Sequence, residues 1–186
     1  MHSMDEALAV SELVSQRGSW NGLLYDNPTI APAPQLTWTF TFEFNDVARS
    51  FGSSRVSMSV DWVTLGNGTW HAMAGQTAAA RTFGEPIEAS VYFFEHHRFD
   101  VLDLQVLEQH GTELLVKASL RGDIDRLGIE TLTVSANLDF EGIIIHLSDV
   151  PPSVPAARAR LAEFTDTAGL DGERTAHGFR FVPTSR

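Results

Sequence analysis

The chain has 186 residues, 43% of them hydrophobic, no cysteine and a formal net charge of −11. That length suits one domain with a substantial core, the charge disfavours nucleic-acid and anionic-membrane partners, and the absence of thiols excludes disulfides, thiolate catalysis and zinc–thiolate sites. The opening Met1-His2-Ser3-Met4-Asp5-Glu6 has no basic region of a secretory signal, and no apolar run approaches the ~18–20 residues of a membrane span, so a soluble, cytoplasmic protein is the expectation.

A helix is predicted over residues 3–17. Ser3 stands as its cap, Glu6 completes a Ser-x-x-Glu box, and Arg17 and Gly18 suit its end. Leu8, Val10, Leu13 and Val14 fall on its apolar arc, which must dock on something apolar. Docked over one mouth of a β-structure, the helix would act as a lid. Residues 26–35 carry three prolines and read as a loop.

Strands follow. Residues 36–44 alternate perfectly between polar and large apolar side chains, which is the period of a strand with one buried face. Residues 55–65 place Val56, Met58, Val60 and Trp62 on one face. Asn67-Gly68 signals a two-residue hairpin, with 69–75 as the returning strand. Residues 87–95 and 99–108 form two strands or one long bent one; 113–121, 129–140 and 143–147 follow. The Pro151-Pro152-Ser153-Val154-Pro155 run ends the sheet. A second helix is predicted over 154–168, with Val154, Ala157, Leu161 and Phe164 on one side, and a last strand over 179–182.

Short connections make consecutive strands pair as a meander, and closure removes the exposed edges of an open sheet. The predicted fold is therefore mainly β: a single antiparallel up-and-down barrel over 19–148, with an N-terminal capping helix and a C-terminal helix. A β-sandwich is the alternative.

Gly18-Ser19-Trp20, after a short helix and opening the first strand, resembles the signature of the calycins, the lipocalin and nitrobindin-like barrels. The late helix followed by a short strand is similar to the lipocalin end. The plan of an amphipathic N-terminal helix and a barrel-like strand series also resembles the spirotetramate cyclases related to allene oxide cyclases. That resemblance implies a compact barrel enclosing a polyketide-like substrate; no shared motif carries over a catalytic residue.

Trp38, Phe40, Phe42, Met58, Trp62, Trp70, Tyr92 and Phe94 form an aromatic and methionine-containing set that suits either a ligand cavity or a packed core. Asp61, His71, Tyr92, Glu95 and His146 interrupt apolar strand stretches and are the candidates for proton transfer, provided they face inward. Glu95-His96-His97-Arg98 reads as a solvated turn, because neighbouring strand residues point to opposite faces and cannot both meet one ion. Asp123 to Gly128 lacks the ligands of a calcium loop and reads as a polar hairpin. No metal site and no cofactor are expected. The hydrolase elbow, phosphate loop, dinucleotide and zinc-protease motifs are absent.

Two functions are compatible with these residues. One is a barrel that binds a small apolar molecule in its cavity, with a cofactor-independent cyclase or isomerase as its catalytic version, working by shape and water exclusion. The other is a non-enzymatic interaction protein, such as an immunity or chaperone-like partner, whose acidic charge steers a basic partner. A homodimer is compatible with either.

Overall fold

The computed structural model describes residues 7–29, 31–66 and 69–184. The chain is mainly β, 58% strand with one α-helix, and is dominated by a large antiparallel sheet. In chain order the strands are β1 (Gly18–Asn27), β2 (Ala31–Glu43), β3 (Val47–Arg49), β4 (Gly52–Ser54), β5 (Val56–Val63), β6 (Thr77–Ala80), β7 (Glu88–Phe93), β8 (Glu95–His110), β9 (Glu113–Asp123) and β10 (Thr131–His146). The helix α1 (Val154–Leu161) follows, then the hairpin β11 (Leu170–Thr175) and β12 (Gly178–Pro183).

The hydrogen-bonded order is β1-β2-β5-β7-β8-β9-β10-β12-β11, and β1 pairs β10 as well. Every pairing along this path is antiparallel except β1–β10, where Gly18 to Tyr25 run parallel to Leu138 to His146. The parity of the path explains that exception. β1 and β10 are its first and seventh strands, and strands that alternate in direction leave the first and seventh pointing the same way. Long β8 carries β9 on one edge and β7, then β6, on the other. Long β10 likewise carries β1 on one edge and β9, then β12, on the other.

Strand period two fills the interior. Trp20, Phe40, Phe42, Met58, Val60, Val106, Leu114, Leu120 and Leu138 are completely buried. Thr39 and Thr41 of β2 and Ser57 and Ser59 of β5, at the intervening positions, face the other way and are half-buried, and Thr37 beside them is buried. Trp38, Trp20, Phe140 and Trp70 form a chain of ring contacts at 5.5, 4.2 and 5.1 Å. The Trp20 indole N–H donates to the Thr112 carbonyl at 3.1 Å.

The predicted N-terminal helix is not found over residues 7–17; the capping pair Ser3 and Glu6 lies outside the described residues. The chain makes one 3-10 turn, Val10–Glu12, and then runs extended onto the end of β2, with the Gln16 N–H donating to Glu43 and a bridge from Ser15 to Phe44. Tertiary bonds explain the difference. The Glu12 carboxylate accepts from Arg49 at 2.8 Å and from the Ala9 N–H at 2.9 Å, and these contacts outweigh the weak preference of a short helix. The intended apolar arc is split: Leu8 is buried, Leu13 half-buried, and Val10 and Val14 are exposed.

Other boundaries move for similar reasons. The proline-containing segment becomes the start of β2, since Pro32 and Pro34 precede Trp38, where pairing with β5 begins, and so have no partner on that edge to donate to. Residues 69–75 are turns rather than a returning strand, and Asn67-Gly68 lies outside the described residues. Residues 95–98 belong to β8 rather than to a turn. Helix α1 stops at Leu161, short of the expected 168. Arg158 takes the carbonyls of Thr167 and Leu170 at 3.0 and 2.6 Å, and the Thr165 hydroxyl accepts from the Trp70 N–H, so the segment beyond is held in turns.

Candidate functional site

The most distinctive local feature lies at the end of β5. Trp38 pairs with Val63 and Phe40 pairs with Val60, so two residues, Asp61 and Trp62, stand opposite Thr39 alone. This two-to-one bulge re-aims side chains. Trp62 adopts φ 63°, a left-handed conformation that is strained for a bulky residue and that persists only where its surroundings hold it. Parity would have sent Trp62 inward with Val60. The bulge sends it to the outer wall, and Val63 then resumes the inward set.

The Trp62 ring meets Tyr25 of β1 at 5.0 Å. Strand β2 lies between β1 and β5, so the rings meet above β2. Beneath them Thr37, an outward-facing residue, is only 3% exposed. Tyr25 is in register with His146, and Leu23 with Ile144. The outer wall thus carries Trp62, Tyr25, Leu23 and Ile144 together, the last 42% exposed. Polar groups rim this patch. Asp61 accepts from Thr39 Oγ1 at 2.9 Å and from Ser59 Oγ at 3.0 Å, and a carboxylate with two such bonds keeps acceptor capacity on both oxygens. Arg180 is in register with Ile144 on the far side.

The remaining expected site residues lie elsewhere. Trp38, Phe40, Phe42 and Met58 are in the interior at no more than 1% exposure. Trp70 is buried, stacked on Phe140, with its indole N–H unpartnered among the described residues. Tyr92 faces outward on β7, edge-on to His96. Phe94, also left-handed at φ 59°, is exposed against Phe51. His71 is exposed and sits 3.5 Å from Asp166; Glu95 is exposed at the start of β8. Of the acid–base candidates Asp61, His71, Tyr92, Glu95 and His146, only Asp61 and His146 border a common surface, and none is buried. Their inward orientation, which proton transfer inside a barrel requires, is not found.

His96 is exposed and His97 buried, on opposite faces of β8, and no group of three metal-ligating side chains occurs among the described residues. Asp123 closes its own loop by accepting from the N–H groups of Leu127 and Gly128 at 3.0 and 2.8 Å. No described helix is long and apolar enough to cross a membrane.

Sequence reasoning missed Tyr25, Leu23 and Ile144. A signal for them exists in Leu23-Leu24-Tyr25 and Ile143-Ile144-Ile145. Consecutive apolar residues in a strand cannot all face inward, so each run must place an apolar side chain outside.

No protein-family model, curated protein or solved structure matches this chain.

Proposed function

We propose that this chain is a non-enzymatic interaction protein: a closed β-barrel with a packed interior that docks a partner protein on its outer wall around Trp62. Closure is supported by the double pairing of β1 with β2 and β10. The observation that carries the docking surface is the left-handed Trp62, whose bulge puts an indole outside at a conformational cost. Trp and Tyr at the centre of an apolar patch with a polar rim are the usual anchors of a protein interface. The scattered outward positions of the acid–base candidates do not favour a catalytic centre.

The test compares Trp62→Gly with Phe51→Ser, a change at an exposed ring outside the patch. Glycine accepts φ 63° without strain, so Trp62→Gly should keep the wild-type fold. Photo-crosslinking from position 144 should trap a partner, with at least a tenfold loss in Trp62→Gly and none in Phe51→Ser. Equal trapping by all variants would overturn the proposal. So would stoichiometric binding of an apolar dye that is weakened by Phe40→Leu but not by Trp62→Gly, an outcome that would favour a small apolar ligand in the interior.

A further inference from the structure

A second surface feature lies away from the Trp62 patch: an open groove of about 610 Å³ on the outer face of β6, β8, β9 and the start of β10. That volume is in the range of small-molecule sites. Strand period two dictates the lining. Lys117, Ser119 and Arg121 alternate outward along β9 and are in register with Gln105, Asp103 and Val101 of β8 and with Ser135, Thr133 and Thr131 of β10. Outward neighbours on one strand are ~7 Å apart, so Lys117 and Arg121 stand ~13 Å apart with Ser119 midway.

The charge of this groove opposes that of the molecule. The whole chain carries −11, yet the groove is lined by two cations, Lys117 and Arg121, and one carboxylate, Asp103, which a third cation, Arg81, also pairs. Asp103 divides its two oxygens between Arg81 at 2.9 Å and Arg121 at 3.1 Å. Those arginines hold the Asp103 carboxyl below the usual carboxylate range, with the Arg81 hydrogen bond the largest cause. Arg81 is further fixed by the carbonyls of Ala80 and Leu102. Lys117 forms no ion pair among the described residues, and its cross-strand neighbours Gln105 and Ser135 are neutral. An acidic protein that concentrates cations on one concave face has built a local positive field, and such a field selects anions.

The rest of the lining narrows the class. Ser119, Thr77 and Thr131 bring hydroxyls to the groove, and Ser119 is bonded to Thr133 beside it at 2.6 Å. None of the residues lining the groove is aromatic, so there is no ring on which a base could stack. Hydroxyl-rich walls between two cations match a ligand that carries both hydroxyls and an anionic group.

We propose that the groove between Lys117 and Arg121 is a binding site for an anionic polyol, a sugar phosphate or sugar acid, held by those two cations and by the hydroxyls of Ser119 and Thr131. It is a different face from the Trp62 patch and stands or falls independently of it.

Lys117 is the only lysine in the chain, which gives the test a direct readout. An amine-selective acetylating reagent modifies Lys117 and the α-amino group, and intact-mass and peptide analysis separates the two. Glucose 6-phosphate and gluconate are the anionic probes, and glucose is the neutral control. At ten times its Kd, an occupying ligand lowers the free site about tenfold by mass action. Either anionic probe at about 10 mM, well above the Kd of a weak millimolar site, should therefore slow acetylation of Lys117 about tenfold and leave the α-amino group unchanged. Comparison of the two probes tells a phosphate site from a carboxylate site.

Raising the ionic strength to about 1 M, where the Debye length falls to about 3 Å, should remove the protection. Arg121→Gln should weaken binding at least tenfold and so cut the protection to about twofold or less, while Arg55→Gln, a control outside the groove, should not. Unchanged melting of the variants will show that they fold. Absence of protection by either anion, equal protection by glucose, or full protection in Arg121→Gln would each overturn the proposal.

Discussion

At Trp62, one left-handed residue decides on which side of the sheet an indole lies. The alternation of residues 55–65 is legible in the sequence and assigns Val56, Met58 and Val60 to the interior, where they are completely buried. The same alternation misplaces Trp62, because parity holds only until an extra residue enters the ladder. Nothing in the Asp61-Trp62-Val63 sequence announces that bulge, since its signal is the long-range register with Trp38 and Phe40. The site was therefore half legible. Asp61, Trp62 and His146 can be singled out from residue type, but their gathering around Tyr25 follows from strand order.

A second residue-scale consequence concerns acid. Asp125 accepts from the Arg98 side chain at 2.7 and 3.0 Å and from the Arg98 backbone N–H at 2.7 Å. These bonds, the side-chain one first, lower its carboxyl from 3.8 to about 2. A depressed folded value means that the pair stabilises the fold fully above the unfolded pKa and loses that contribution as the pH falls through the folded one. Melting temperatures of wild type and Asp125→Asn should thus differ by a constant amount above about pH 5, converge as the pH drops, and coincide only below about pH 2. The difference will be small, because Arg98 is half exposed and water screens the pair. A gap that widens on acidification would contradict this sign.

At the scale of elements, short-range signals succeed where contacts do not compete with them. α1 begins at Val154, where the sequence places it, and its cap is local: Ser153 Oγ accepts from the Ala156 N–H at 3.3 Å, with Pro155 in the first turn. The N-terminal helix fails because Arg49, 37 positions away in sequence, claims Glu12. Glu141-Gly142, a break by sequence, is instead a bulge inside continuous β10. Trp20 pairs with Phe140 and Asn21 with Gly142, so Glu141 is the extra residue. Gly142 has φ 108°, and a Cβ there would stand 2.3 Å from the Phe181 carbonyl oxygen. Both the conformation and the approach require glycine. Gly142→Val should cost about 3 kcal/mol or more, and amide exchange should rise along both β1 and β10. A loss below ~1 kcal/mol would mean that the pairing tolerates the side chain and that this bulge does not hold it.

For the whole molecule, the aromatic composition is ambiguous, and strand order says which rings meet. Rings at alternate positions of β2 suit a cavity wall and a solid core equally, because period two gives the face and not what fills the space opposite. The path of seven strands brings Trp20, Trp38 and Phe140 into mutual contact at 4.2 to 6.4 Å, so the space facing β2 at that level is filled by rings from β1 and β10. Phe40, two residues along from Trp38 on the same face, is completely buried and belongs to the same hydrophobic cluster. Truncating a packed, buried ring removes its transfer free energy and leaves a cavity whose lining relaxes only in part. Phe40→Ala should accordingly destabilise the protein by about 3–5 kcal/mol in chemical denaturation, with an unchanged denaturant slope if unfolding stays two-state. A loss below ~1 kcal/mol would mean that the ring lines open space, and the interior would then again be the place to look for a ligand.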